Sequence, residues 1–122
     1  MNQYHRNPSY LKDYQLSELI FATTDVIGAI GQSDVVVIAV PSFAFLSVIE
    51  QIQSCYHQQK LVIATKGLSA SSDFLFSAQV ERILQTDAYA FLSGPSHAEE
   101  VIQRMSTWVT IASRQVSFAQ EM

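Results

Sequence analysis

The stretch KLVIATKGL, residues 60–68, decides how the rest of the chain is interpreted. Residues 61–64 are apolar or small, with two β-branched side chains in the middle, which is typical of a short strand buried on both faces. Thr65, Lys66 and Gly67 then stand where that strand ends. In open α/β sheets the carboxyl ends of the strands line the ligand crevice. Lys66 is therefore a candidate ligand-binding residue, and a solvated loop lysine is the alternative.

Length, composition and charge limit the classes of protein to which the chain can belong. The chain has 122 residues, of which 48% are hydrophobic and 15% charged, and this predicts one modest domain with a packed core. A net charge of −4 without a basic stripe argues against a nucleic-acid partner. The single cysteine, Cys55, excludes an internal disulfide and favours a reducing compartment. With no apolar run long enough for a membrane span and no signal-peptide pattern, we predict a cytoplasmic protein.

Strand and helix patterns alternate along the chain. The run DVVVIAV, residues 34–40, is uninterrupted and β-branched, which predicts a central, parallel strand. Trp108 is expected in the core. With short connections and right-handed crossovers, this order predicts one half of a doubly wound parallel α/β sheet. Predicted strands cover residues 19–23, 34–40, 61–64, 88–92 and 107–112, and predicted helices cover 26–30, 43–57, 73–85, 97–104 and the segment from 114 onward.

Several helix boundaries follow from capping residues. Thr24 or Asp25 is expected to cap the first helix, with Gly31 at its end. The polar residues 69–73 are expected to form a loop that caps the third helix. Ser96 followed by Glu99 has the spacing of a capping box for the fourth helix.

Three predicted strand ends carry the candidate chemistry. They are VPS at residues 40–42, ATKG at 64–67 and SGPSHA at 93–98. In a parallel sheet all three open on the same edge, so their residues are expected to converge. Ser96 or the Gly94 backbone could hold a phosphate or hydroxyl, Lys66 adds a positive charge, and small Ala98 would let a flat ring approach a helix N-terminus.

Other kinds of site find no support in the sequence. The histidines show no metal-ligand spacing and no nucleophile–base–acid arrangement can be argued, so we predict no metal and assign no catalytic residue. The sequence also lacks a G-x-G-x-x-G motif, the usual pyrophosphate cradle of a dinucleotide-binding fold.

Five segments of the chain resemble, in order and near-spacing, the bacterial NAD(P)-dependent glycerol-3-phosphate dehydrogenases. The segments are NPSYL at residues 7–11, ATTD at 22–25, DVVVIAVPS at 34–42, ATKGL at 64–68 and LSGPSHAEEV at 92–101. The last is the most specific of the five. The family reduces dihydroxyacetone phosphate to sn-glycerol 3-phosphate with NADH or NADPH, for phospholipid synthesis.

The resemblance implies roles for five residues. The lysine matching Lys66 contacts both the nicotinamide cofactor and the substrate. Those matching Gly94 and Ser96 lie on the substrate side, and those matching Ala98 and Tyr10 lie on the cofactor side. A protonated Lys66 would polarise the substrate carbonyl and hold the developing alkoxide.

The resemblance also implies that the chain, residues 1–122, is an incomplete NAD(P)-binding domain. It is a partial Rossmann-type sheet that lacks the family's first β-α-β unit with its glycine-rich loop, and it lacks the helical C-terminal domain with its catalytic lysine. We therefore predict little or no turnover by this chain alone, because catalysis by positioning fails without the positioning groups. Two alternatives stay open: a non-catalytic module that pairs its exposed sheet edge with a partner or with itself, as in a homodimer, and a nucleotide-binding remnant of a neighbouring reductase family.

Overall fold

The computed structural model describes residues 1–11, 14–69 and 75–122, and within them a sheet is flanked by short helices. The first two strands are β1, Val35–Ile38, and β2, Lys60–Ile63; the last two are β3, Tyr89–Ser93, and β4, Thr110–Ser113. The helices are α1, Val26–Gly31; α2, Phe45–Ile52, preceded by a 3-10 turn at Ser42–Ala44; α3, Phe76–Leu84; α4, Ala98–Ile102; and α5, Val116–Glu121.

The described strands form one sheet in the order β1-β2-β3-β4. The first three are parallel, with Val37 beside Val62 and Val62 beside Ala90, as predicted for a partial Rossmann-type α/β fold. Strand β4 differs from the predicted parallel arrangement because it runs antiparallel to β3. The helix between these two strands, α4, has five residues and none is buried, so it is not a crossover helix packed on the sheet.

The core lies between the sheet and helices α2 and α3. Leu61 and Ile63 of β2 point to this face and are fully buried, and the rings of Phe45 and Phe76 meet there with centroids 4.2 Å apart. On the opposite face the alternating side chain Val62 is also buried, and Phe118 of α5 is buried outside the main cluster. The prediction that β2 is covered on both faces is therefore confirmed.

Strand β1 is parallel as predicted, but the prediction that it is central is wrong. It pairs with β2 alone among the described strands and so lies at an edge of the sheet. Val37, whose side chain is on the face away from α2, is 57% exposed. An uninterrupted apolar run suggests a strand covered on every side, whereas in the described residues β1 is covered only by β2 and the helices on one face.

The segment before α1 is not a strand, contrary to prediction. Leu19 is 94% exposed, and the backbone of Ala22 bonds to a side chain rather than to a neighbouring strand. Its N–H donates to Asn2 Oδ1 and its carbonyl accepts from Asn2 Nδ2, both at 2.7 Å. Asp25 does cap α1, since its Oδ1 accepts from the Gly28 N–H at 2.9 Å, but the helix runs through Gly31 and is capped by the next residue.

Three further predictions concern the second half of the chain. Cys55 is buried with a free thiol, as expected. Trp108 is not a core residue, because it precedes β4 and is 83% exposed. Most of the loop predicted at residues 69–73 lies outside the described residues, and α3 begins after Leu75 without a side-chain cap. None of the helices in the described ranges has the length and apolar character needed to cross a membrane.

Candidate functional site

Lys66 joins the carboxyl ends of β2 and β3. It follows β2 by three residues, and its Nζ donates to the Gly94 carbonyl at 3.1 Å, to the Ser96 carbonyl at 3.3 Å and to Ser96 Oγ at 3.5 Å. These acceptors match the three N–H groups of an ammonium. The structure thus brings together three of the residues that the sequence selected.

Within the part of the chain that the structure describes, the Lys66 ammonium bonds to neutral oxygens only. Among residues 1–11, 14–69 and 75–122 it makes no ion pair, and its side chain is exposed. Carbonyl and hydroxyl oxygens orient the ammonium but leave its positive charge unbalanced. An anionic or strongly polarised oxygen arriving from solvent would therefore gain from it directly.

Thr65 joins the carboxyl ends of β1 and β2 and is 8% exposed. Its hydroxyl accepts from the Val40 N–H and donates to the Ile38 carbonyl, both at 3.3 Å. Sequence reasoning placed Thr65 at the strand end but gave it no function. The available signal was a threonine directly after the predicted buried strand. Threonine is common in and around strands because it is β-branched, so its presence alone does not indicate a function.

Two glycines let the strand ends approach each other. Gly67 has φ +102°, which L side chains rarely adopt, and a Cβ added there would lie 3.7 Å from the Ser42 Cβ. Gly94 has φ +151°, and a Cβ there would overlap the Trp108 carbonyl oxygen and lie 3.0 Å from Val109 Cα. Gly94 is therefore required where the chain leading into β4 crosses the end of β3.

The remaining predictions concern the start of α4 and Tyr10. The prediction that Ser96 caps α4 is wrong, because His97 is the N-cap residue and no side chain bonds to the helix start. The Ser96 hydroxyl faces Lys66 instead. Ala98 is the first residue of α4 and is exposed. Tyr10 is 83% exposed, and no hydrogen bond of the described residues joins it to the group around Lys66.

A cavity of about 400 Å³ opens beside Lys66. Lys66 and Gly67 line it together with the end of β3 and the start of α3, Phe91 and Phe76 among them. Polar residues at the strand ends, Thr65, Lys66 and Ser93, line it together with apolar residues of β3 and of the start of α3. That volume is in the range of small-molecule sites.

An open, mostly parallel α/β sheet with a cation and glycines at its strand ends has the form of a nucleotide-binding α/β domain. The model of one family, described as NAD-dependent glycerol-3-phosphate dehydrogenase N-terminus, matches residues 1–119. The chain belongs to this family, which confirms the resemblance seen in its motifs.

Individual proteins agree with the family match. The glycerol-3-phosphate dehydrogenase (NAD(P)+) of Halothermothrix orenii is 34% identical over 122 residues, covering 100% of this chain and 36% of that protein. The crystal structure of glycerol-3-phosphate dehydrogenase from Coxiella burnetii superposes with a TM-score of 0.91 at 31% identity, covering 99% of this chain and 37% of the other. The structure of DsGPDH of Dunaliella salina superposes with a TM-score of 0.82 at 26% identity, covering 93% of this chain and 20% of the other. The chain thus spans about a third or less of the length of these relatives.

Proposed function

We propose that residues 1–122 are an incomplete NAD(P)-binding domain that forms the nicotinamide and substrate end of a glycerol-3-phosphate dehydrogenase. The reaction is hydride transfer between NADH or NADPH and dihydroxyacetone phosphate, giving sn-glycerol 3-phosphate for glycerophospholipid synthesis. The observation that carries the proposal is the Lys66 ammonium, held by Gly94 and Ser96 at the carboxyl ends of parallel strands and without a carboxylate partner among the described residues. The free thiol of Cys55 supports a cytoplasmic location.

The chemistry of carbonyl reduction suits an ammonium in this place. When a hydride and its electron pair reach the carbonyl carbon, negative charge develops on the carbonyl oxygen, which must then gain a proton. A fixed N–H donor aimed at that oxygen stabilises the charge as it forms. Lys66 has that donor and is already oriented by neutral acceptors, so it needs little rearrangement to exchange one of them for the substrate oxygen.

The described residues fit one end of a dinucleotide. Lys66 and the small Ala98 at the start of α4 are both exposed, which supports placing a flat ring with a carboxamide beside them, with Tyr10 further along the cofactor. Gly94 and Ser96 offer a carbonyl and a hydroxyl to the small phosphate substrate. Reduced nicotinamide would supply the hydride. No glycine-rich pyrophosphate loop occurs in the sequence, so we expect weaker binding than a complete cradle gives.

The chain alone is expected to bind without turning over. The matched crystal structure is nearly three times as long, since this chain covers 37% of it, so most of that enzyme's length has no counterpart here. Effective catalysis needs its positioning groups held within a fraction of an ångström. The purified chain incubated with dihydroxyacetone phosphate and NADH should therefore show no loss of the reduced cofactor's absorbance.

Calorimetric titration with NADH and then NADPH tests the binding. Lys66→Met should weaken binding about tenfold or more, because a charge-assisted contact worth about 1.4 kcal/mol is lost. Lys60→Met is the matched control: it removes the same charge from the same strand at the opposite end, and binding should be unchanged. Equal losses in both variants would mean that only net charge matters, and no binding by a folded wild-type chain would refute the proposal.

The edge of β1 favours a second candidate, a module that pairs with another copy of itself. The Asp34 and Ile38 carbonyls accept from Lys60 and Ala64, so the intervening Val35 and Val37 turn their N–H and C=O groups away from β2. No described strand pairs with those groups. An uncharged, unpaired edge is a template for strand addition.

Light scattering during size-exclusion chromatography distinguishes this candidate. Self-pairing predicts a dimer that Val37→Lys converts to a monomer, since a charge at an edge blocks pairing. Val101→Lys, which places the same charge on exposed α4, is the control and should leave the mass unchanged. A wild-type monomer at high concentration would exclude self-pairing.

A further inference from the structure

We infer that Thr65 is a positioning residue whose hydroxyl sets the place of the Lys66 ammonium in the crevice. This inference deepens, and rests on, the function proposed for Lys66. Nothing in the family resemblance assigns Thr65 a contact with cofactor or substrate.

The first observation is where the Thr65 hydroxyl stands. Strand β1 ends at Ile38 and β2 at Ile63, so the regular ladder between them stops before the crevice. The Ile38 carbonyl accepts from the Ala64 N–H at 2.8 Å and the Thr65 N–H at 3.1 Å. The Thr65 hydroxyl adds a donor to that carbonyl and accepts from the Val40 N–H, one residue before Pro41. The side chain thus extends the pairing beyond the last ladder residue.

The second observation is that neighbouring residues bond in opposite directions. Thr65 binds the end of β1, and Lys66, the next residue, binds the chain after β3 through Gly94 and Ser96. The backbone between them is therefore held from both sides. If the Thr65 hydroxyl is removed, the Thr65 N–H still bonds to Ile38, but the bond that ties residue 65 to Val40 is lost. The backbone from which the long Lys66 side chain reaches its acceptors is then held less firmly on the β1 side.

The third observation is burial. Thr65 is 8% exposed and Val40 is partly buried, so the bond between the Val40 N–H and the Thr65 hydroxyl is partly shielded from water. An isosteric replacement without a hydroxyl would leave that donor without its protein partner, at a cost that rises with its burial. We expect the chain to relieve this cost by shifting residues 40–42 and 65–67 apart, in the part of the crevice where Gly67 now approaches Ser42.

The test compares Thr65→Val, which keeps the shape, with Thr65→Ser, which keeps the hydroxyl. In the uniformly 15N-labelled chain, Thr65→Val should shift the amide signals of Gly94 and Ser96, although no hydrogen bond of the described residues joins either of them to Thr65, and Thr65→Ser should restore them. Thr86→Val is the control, because Thr86 also accepts from a backbone N–H, that of Ala88, but at the other end of β3. It should leave both signals in place.

Cofactor affinity provides a second, independent test of the role of Thr65. Thr65→Val should weaken NADH binding about fivefold and Thr65→Ser less than about twofold. If the wild-type chain binds neither NADH nor NADPH, the proposed function fails, and the amide signals still decide the role of Thr65. Loss of thermal stability in Thr65→Val with unchanged Gly94 and Ser96 signals would show a purely structural residue and overturn the inference. If Thr65→Val does not fold, Thr65→Cys, a weaker hydrogen-bonding group of similar size, is judged by the same signals.

Discussion

The two ends of β2 each carry a lysine, and the two lysines have different kinds of partner. Lys60, at the amino end, has its Nζ 2.6 Å from Glu121 Oε2 in a direct ion pair. Lys66, just past the carboxyl end, bonds within the described part of the chain to carbonyl and hydroxyl oxygens alone. A lysine thus forms an ion pair at one end of β2, whereas the lysine beyond the other end bonds to neutral oxygens. The partner, more than the residue type, distinguishes a structural lysine from a candidate binding lysine.

The neighbouring strand repeats the contrast. At the amino end of β3, the Tyr89 hydroxyl donates to Glu81 Oε1 at 2.5 Å, and the same oxygen lies 2.9 Å from an Arg114 guanidinium nitrogen. At the carboxyl end, the Gly94 carbonyl faces the Lys66 ammonium. The charges of Lys60, Glu81 and Arg114 at the amino end are therefore paired within the chain, whereas Lys66 at the carboxyl end has no carboxylate partner among the described residues.

Gly94→Val should disrupt the carboxyl end most severely. The new side chain would meet the Trp108 carbonyl and force the backbone out of φ +151°, so we expect a loss of about 2–3 kcal/mol in the free energy of unfolding, together with the loss of NADH binding. Urea denaturation measures the first effect. Gly31→Ala is the matched control, because a Cβ there meets nothing within 4 Å and should add a few tenths of a kcal/mol or more to stability. Similar stability of the two variants would contradict the role given to Gly94.

Ser96→Asp should give Lys66 a carboxylate partner, as Lys60 has in Glu121 at the other end of β2. The Ser96 Oγ is 3.5 Å from Nζ, so the aspartate would form an ion pair and compete with an anionic ligand. We expect the affinity for NADH to fall about tenfold, while the uncharged Ser96→Asn falls less than about threefold. Fluorescence titration of the two variants side by side checks this. Unchanged affinity in Ser96→Asp would mean that the ligand does not use the Lys66 charge.

Alkaline pH should weaken the amino end through Tyr89. Burial, the hydrogen bond to Glu81 and the charge of Glu81 raise the pKa of Tyr89 to about 12 from its usual 10.0. Because the folded chain disfavours tyrosinate, the stability from the neutral form is complete below pH 10 and is lost as pH rises toward 12. Tyr89→Phe should show a shallower decline over that window in urea denaturation at several pH values. Burial also raises the pKa of Tyr56, so some decline should persist. An identical decline in wild type and variant would exclude Tyr89 as its cause.

Glu121→Gln should have the smallest effect, because it breaks an ion pair whose side chains are 45% and 55% exposed. The expected loss is about 0.5 kcal/mol at low ionic strength and close to zero in concentrated salt. Unfolding midpoints at the two salt concentrations measure it. NADH affinity should not change, since this pair lies at the far end of β2; a change would remove the distinction drawn between the two lysines.

Much of the architecture could be predicted from local pattern. The β-branched runs at β1 and β2, the i, i+4 apolar spacing of α2 and the Asp25 cap all follow from short-range physics, and the structure has them. The convergence of Lys66 with Gly94 and Ser96 could also be predicted, because parallel strands place their carboxyl ends on one edge. These predictions depended on neighbours in sequence and on strand direction alone.

The errors arose where a residue's environment depends on what covers it. The β1 run and Trp108 have the composition of core, yet Val37 and Trp108 are exposed because no described element packs over them. Residues 19–23 have strand-like composition, but Asn2 takes the hydrogen bonds of Ala22. Ser96 has cap spacing, but Lys66 from another strand binds it instead. A pattern read along the chain contains none of these long-range partners.

The place of Trp108 has a practical consequence. It is the only tryptophan of the chain, it is largely exposed, and its backbone carbonyl touches the Gly94 position at the crevice. Tryptophan emission overlaps the absorption band of reduced nicotinamide, so a cofactor seated beside Lys66 would quench that emission by energy transfer. The chain therefore carries a built-in optical reporter at its candidate site, and the crevice can be titrated by intrinsic fluorescence without any added label.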